Sequence, residues 1–214
     1  FSPLSPIWKR SAGFLLQGGV SNLIKLSSGR ILLPFHGGSG PQYTQKNSAW
    51  CLISDDLGLN WKRSAAVVLP NRGAMEPTVT ELNDGTLLMS LRTQLGGPYL
   101  SRSLDEGETW NEAVFSGLEG GESGTCLRRI SGTDDIVLFW NNSKFNNKHH
   151  HFGERTPLTA AISSDNGYSW QVIGHIDEEP GVEFTNLDCT FISENEALLT
   201  YLYANPAWNR NEIC

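Results

Sequence analysis

Short apolar runs separated by clusters of Gly, Asn, Asp and Ser recur along this chain. Runs of about four to eight residues bounded by such clusters read as β-strands, because turn residues punctuate extended segments. Phe1 to Leu16 is a lead-in, since Pro3, Pro6 and Gly13 disfavour helix. Val20 to Leu26 then predicts a strand, Ser27-Ser28-Gly29 a hairpin turn, and Arg30 to Phe35 the return strand with Pro34 near its end. A loop rich in Gly, Ser and Gln is expected from His36 to Asn47, then strands at Ala49 to Ile53 and Lys62 to Leu69.

The pattern then repeats. Pro77–Leu82 turns at Asn83-Asp84-Gly85 into Thr86–Leu91, followed by Tyr99–Arg102 and Glu112–Phe115. A third unit runs through Thr125–Ile130, Ile136–Trp140, Leu158–Ile162 and Gln171–Ile176, and a fourth begins with Leu187–Ile192 and Ala197–Tyr203. No stretch carries the 3.6-residue apolar period of an amphipathic helix.

One motif recurs at a fixed place in these units. Ser54-x-Asp56-x-Gly58-x-Asn60-Trp61, Ser103-x-Asp105-x-Gly107-x-Thr109-Trp110 and Ser163-x-Asp165-x-Gly167-x-Ser169-Trp170 share one pattern, roughly 50 and 60 residues apart. Ser and Asp side chains hydrogen-bond nearby amides, Gly supplies a conformation other residues avoid, and Trp buries a large ring. We read these residues as structural. Four short antiparallel strands per repeat predict an all-β fold, a β-propeller of four-stranded antiparallel blades. The blades are expected near 17–70, 74–118, 122–178 and 183–214, about three and a half in one domain. An open array of this kind is expected to leave an apolar face exposed at one or both ends.

Composition narrows the class. The 214 residues are 39% hydrophobic and 18% charged with a net charge of −7, as in a globular chain, and no Lys/Arg run marks a nucleic-acid footprint. No apolar run reaches the roughly 18 residues of a membrane helix. Cys51, Cys126, Cys189 and Cys214 lack metal spacing and read as buried or free thiols. His149-His150-His151 reads as part of a solvated loop rather than a metal tract, so no metal or cofactor is expected.

Propeller topology sorts the remaining polar residues. The hairpin between first and second strands and the turn between third and fourth lie at one end of a blade. The loops after second strands and between blades lie at the other, and loops on one face of a rigid scaffold are where function usually sits. That end collects Arg72, Glu76, Glu122 and Glu183 from blade entries. It collects His36, Arg92, Asn141, Asn142 and Tyr203 from the ends of second strands, and Arg155 before a third strand. Guanidinium forks match carboxylates, so Arg92, Arg155 and Arg72, with His36, Glu122, Asn141 and Tyr203, are candidate substrate-binding residues for an acidic sugar. Glu76 and Glu183 are candidate catalytic carboxylates.

The three Ser-x-Asp-x-Gly-x-(Thr/Ser/Asn)-Trp copies resemble the Asp-boxes, or BNR repeats, of the sialidase (neuraminidase) superfamily. Met75 to Arg92 resembles its blade-opening hairpin, and Arg155 to Ser163 a segment common in bacterial sialidase-like proteins. The resemblance covers residues 20–203 and implies a six-bladed propeller when complete, so this chain is expected to be a fragment of a bacterial protein, secreted or periplasmic. It implies a glycan or glycoconjugate partner and an exo-sialidase type of glycoside hydrolysis. Family members use a Tyr nucleophile, an activating Glu, an acid/base Asp and three carboxylate-binding arginines. Two elements depart from that pattern: no Arg-Ile-Pro occurs, and Phe184-Thr185-Asn186-Leu187 has Phe where the nucleophile would stand. A non-catalytic glycan-binding propeller and a propeller polysaccharide lyase, using His36 and Tyr203, therefore stay open beside the hydrolase.

Overall fold

The computed structural model describes residues 14–18, 23–40, 44–205 and 210–213. The expected strand at Val20–Leu26 lies only partly within them, and the lead-in and Cys214 lie largely or wholly outside. The described chain is all-β but for a single turn of 3-10 helix at His150–Phe152. No described helix is long and apolar enough to cross a membrane.

Four antiparallel sheets follow one another along the chain. The first joins β1 (Phe14–Gly18), β3 (Ile31–Ser39), β4 (Lys46–Ser54) and β5 (Lys62–Arg63), with β2 (Ile24–Lys25) beside β3 and β6 (Val67–Val68) beside β4. The second is β7 (Met75–Glu81), β8 (Leu87–Arg92), β9 (Tyr99–Ser103) and β10 (Val114–Phe115). The third is β11 (Cys126–Arg129), β12 (Ile136–Asn141), β13 (Leu158–Ser163) and β14 (Gln171–Asp177); the fourth is β15 (Glu183–Phe191), β16 (Ala197–Asn205) and β17 (Arg210–Ile213). These are blades of a β-propeller.

Each sheet buries its apolar residues against the next. Leu32, Cys51, Val79 and Met89 fill the core between the first two sheets. Leu88, Leu127, Leu138 and Trp140 fill the next, and Phe139, Leu158, Phe184 and Cys189 the third. Burial raises the thiol pKa of Cys51, Cys126 and Cys189, which makes them inert apolar fillers. The fourth sheet leaves Leu198 and Ile192 exposed.

The structure corrects two boundaries that matter for the site. His36 was expected in a glycine-rich loop; it lies inside β3, which continues to Ser39 because β1 and β4 pair with it on either side, Gln17 and Ala49 opposite His36. Pro34 is consequently mid-strand. It is tolerated because on the β1 side β2 pairs only with Ile31 and Leu32, and β1 pairs only from Phe35 onward, so no described partner seeks its missing N–H. Tyr203 was expected at the end of its second strand; β16 runs on to Asn205, so Tyr203 lies within it, opposite Phe184.

The three box turns share one geometry. In each, the Ser hydroxyl donates to the Asp carboxylate and accepts the Gly N–H at 2.8 Å. The Asp carboxylate also takes the N–H of the residue four positions on, Asn60, Thr109 or Ser169, together with its side chain. Gly58, Gly107 and Gly167 have φ of 88°, 87° and 83°, a region closed to most side chains. A Cβ on Gly107 would press into Leu32 and Leu87, so this turn seats on the preceding core. An arginine from the preceding sheet clasps the second and third turns. Arg30 reaches the Glu106 carbonyl, and Arg102 the Asn166 carbonyl while lying over the Tyr168 ring.

These hydrogen bonds hold Asp165 well below the usual carboxylate range, at about 2, led by the Ser169 hydroxyl and amide. A depressed folded-state pKa gives stability that is whole above the unfolded value of about 3.9 and is lost as pH falls toward the folded one. Asp165→Asn is therefore expected to lower the melting temperature at pH 6. The gap to wild type should close between about pH 4 and pH 2, read by thermal melts across that range. A gap independent of pH would show that the charge of the box is not what holds the turn.

Candidate functional site

Strand register places the chemistry opposite the boxes. Ser54, Ser103 and Ser163 pair with Ile31, Leu87 and Ile136, the first residues of their neighbouring second strands. His36, Arg92 and Asn141 stand at or toward the other ends of those strands, beside the connections that carry Arg72 and Glu122.

Glu122 is the centre of the arrangement. Its residue is 2% exposed, although it is charged and belongs to a connection between sheets. Arg72 donates to it through Nη1 at 2.5 Å, Arg92 Nη2 lies 3.5 Å away, and Gln94 donates to its other oxygen at 3.0 Å. Arg92 in turn donates to Glu76 at 2.8 Å. A buried carboxylate needs this kind of pairing, because desolvation otherwise costs several kcal/mol. Arg72 is fixed by its backbone: Asn47 donates to its carbonyl through main chain and side chain, and a Cβ on Gly73 would stand 1.9 Å from the Asn47 carbonyl oxygen. Only glycine fits there.

His36 sets Glu76. Its Nδ1 accepts the Glu76 N–H at 3.2 Å while Nε2 lies 2.9 Å from Gln17 Oε1, which fixes the neutral tautomer with the proton on Nε2. Glu76 has φ of 41°, a left-handed conformation unusual for a side chain of its size, at the bulge between Met75 and Thr78. Strain of this sort is held at functional sites by surrounding structure. Burial, together with Arg92 and Arg72 and against the pull of Glu76, lowers the His36 pKa to about 4.

Arg155 lies before β13, half of a second group. Its Nη1 is 3.7 Å from Glu183, and both line a cavity of about 170 Å³ with His149 and Glu154. Burial and Arg92 lower the Arg155 pKa, with Glu183, Glu76 and Glu122 opposing, so the two groups share one field. Asn141 is 1% exposed and turned into backbone: its amide donates to the carbonyls of Arg155 and Phe184, and its oxygen accepts from Ser123. Tyr203 packs against Phe184, ring centroids 5.9 Å apart, and Phe184 is fully buried.

His151 was not singled out from sequence, where its tract reads as solvated. The first two histidines are exposed, but His151 turns inward: Nδ1 accepts from Arg92 at 3.3 Å, and its carbonyl accepts the Glu122 N–H at 2.5 Å. Burial first, then Arg155 and Arg92, lower its pKa to about 3. It closes a cavity of about 220 Å³ with Arg72, Gln94 and Glu122. Arg72, Arg92, Glu76, Glu122, His36 and His151 thus form one contact network, with Arg155 and Glu183 beside it. Among the described residues, the buried guanidinium Nε atoms of Arg72, Arg92 and Arg155 find no hydrogen-bond partner.

Known proteins place this chain. The family model described as a BNR repeat-like domain matches residues 7–197. The chain belongs to that family. Among curated proteins, the anhydrosialidase of Macrobdella decora is 31% identical to this BNR repeat-like chain over 127 residues, 58% of the chain and 16% of that protein. Among solved structures, Trypanosoma rangeli sialidase matches with a TM-score of 0.70 at 18% identity, covering 93% of this chain and 31% of that one. A protein of unknown function from Dyadobacter fermentans matches with a TM-score of 0.65 at 22% identity over 89% of this chain and 50% of that one. The chain thus spans half or less of the length of each. At these identities the structures establish the fold, that of sialidase propellers.

A histidine kept neutral in the fold stabilises it fully above its unfolded pKa of about 6.5, and this is lost as pH falls toward the folded value. Wild type is expected to lose stability from pH 6.5 to 4. His36→Gln, lacking that linkage, should be less stable at pH 7 by about 1 kcal/mol, and the gap should close just below pH 6 and reverse as pH falls further toward 4 in denaturant titrations. Parallel pH dependence of the two proteins would place the neutral imidazole elsewhere.

Proposed function

We propose that this chain carries the acidic-sugar site of a sialidase-type glycoside hydrolase. The observation that carries the reading is the grouping of Arg72 and Arg92, held by Glu76 and Glu122, with Arg155 beside them against Glu183, at the end of the sheets opposite the box turns. Planar guanidinium groups fixed beforehand bind a sugar carboxylate without ordering costs at the moment of binding. The kinship to an anhydrosialidase and to sialidase propellers supports the same substrate class.

Of the two candidate catalytic carboxylates, Glu76 is committed to Arg92 and acts by orienting it. Glu183 is more exposed, lines the Arg155 cavity and is placed for proton transfer. Neutral His36 and His151 keep further positive charge out of a site that already holds three arginines.

A second reading, binding without turnover, draws on Phe184. It has no hydroxyl and lies buried between Tyr201 and Tyr203, so this position supplies no nucleophile.

Both readings are tested by measuring binding of methyl α-sialoside and hydrolysis of a fluorogenic sialoside in parallel. Arg155→Ala, and Arg92→Lys, which keeps the charge but loses the planar fork, are expected to weaken binding at least tenfold, about 1.4 kcal/mol. Glu183→Gln should keep binding and lose turnover by roughly 100-fold or more. Binding without turnover in the wild type would select the second reading. Absence of binding would overturn the acidic-sugar site itself.

A further inference from the structure

Segment 142–157, between β12 and β13, has two sides. Its inner side supplies His151 to the arginine network. Its outer side borders a cavity of about 670 Å³ flanked by Asn142, Lys144, Phe145, Asn146, His149 and Glu154. That volume falls within the range of small-molecule sites, roughly 300 to 1,000 Å³. The cavity is continuous in its walls with the site above. His149 borders it and both arginine-lined cavities, and Glu154 and Thr156 border it and the cavity of Arg155 and Glu183.

We propose that this cavity is a subsite for a neutral sugar unit attached to the acidic one, which makes segment 142–157 the element that selects the glycan beyond its charged residue. The inference rests on the acidic-sugar reading and extends it outward from Arg155. The wall chemistry fits hydroxyl groups. Two carboxamides supply donors and acceptors together, one ammonium and one carboxylate offset each other, and an aromatic ring gives an apolar wall. A second anion is disfavoured by Glu154, and an apolar ligand by the polar majority of the lining.

The segment is built to hold this shape. Phe145 and Phe152 stack at 5.9 Å and 12°, Asn146 N–H donates to the Phe152 carbonyl at 2.7 Å, and Asn142 N–H donates to the Pro157 carbonyl at 3.0 Å. Gly153 sits where a Cβ would stand 2.9 Å from the Cα of Gly121 and 2.8 Å from Ser143 Oγ, which locks the segment against the connection bearing Glu122. His151 and Phe152 take left-handed φ of 59° and 57°, so the turn that aims His151 inward also fixes the outer wall.

The test compares two ligands on the whole chain by calorimetry: methyl α-sialoside, and S-linked sialyllactose, whose thioglycosidic bond resists hydrolysis. The trisaccharide is expected to bind wild type roughly tenfold tighter. Asn142→Ala combined with Lys144→Ala should remove that gain and leave the monosaccharide affinity unchanged, which also shows the variant to be folded. Equal affinity of the two ligands for wild type, or a gain that survives in the variant, overturns the subsite while leaving the acidic-sugar reading intact. If neither ligand binds, both fall. If the variant loses monosaccharide binding as well, Lys144→Ala alone decides, and the subsite is rejected if that change leaves the trisaccharide gain in place.

Discussion

A carboxylate with 2% of its residue exposed imposes a condition on everything around it. Glu122 satisfies that condition by drawing in two guanidinium groups from different parts of the chain, Arg72 before β7 and Arg92 at the end of β8. Three segments must arrive together for the pairing to exist, and losing any one partner leaves a buried charge unmatched. The fold meets this with rigid backbone rather than long side chains. Gly73 lets the Arg72 segment pass against Asn47, and the Glu122 N–H is fixed by the His151 carbonyl. The cluster is costly, since the Nε atoms of Arg72, Arg92 and Arg155 find no hydrogen-bond partner among the described residues. Unsatisfied buried donors are rare where stability alone is at stake.

The opposite end of the sheets supplies the rigidity. Box turns close third strands onto fourth strands with self-contained hydrogen bonds, and two of them are clasped by an arginine of the preceding sheet. Between the two ends, three apolar cores space the sheets. Hydroxyl pairs such as Ser90 with Thr125, and the bond from Leu127 N–H to Thr78, then pin neighbouring blades close to the site. Stacking fixes the separation and the turns fix the orientation. The arginines meet because strands of set direction end where they do.

How much of this was readable in the sequence follows from how local each signal is. The box turns were legible because every bond in them spans at most four residues. Arg92, Glu76 and Glu122 were reachable because strand alternation sends successive loops to alternate ends. His36 was picked out but misplaced, since the glycines after it look like loop and only pairing with β1 and β4, one on each side, extends the strand. Burial of Glu122 depends on partners far away in the chain and has no local signature. His151 was missed for the same reason: its two neighbours are exposed, and a left-handed turn that composition does not encode directs it inward. Asn141 was nominated for a ligand by its position, and its amide is instead engaged by backbone carbonyls of two segments.

The account stands on the guanidinium groups being the receivers of a sugar carboxylate. The most direct measurement follows the arginine side-chain Nε–H resonances by ¹⁵N–¹H NMR while methyl α-sialoside is added, with a neutral methyl hexoside as reference. The account predicts that signals of Arg72, Arg92 and Arg155 move with the acidic sugar and stay in place with the neutral one. Signals that ignore both sugars, or that answer the neutral sugar equally, would contradict it.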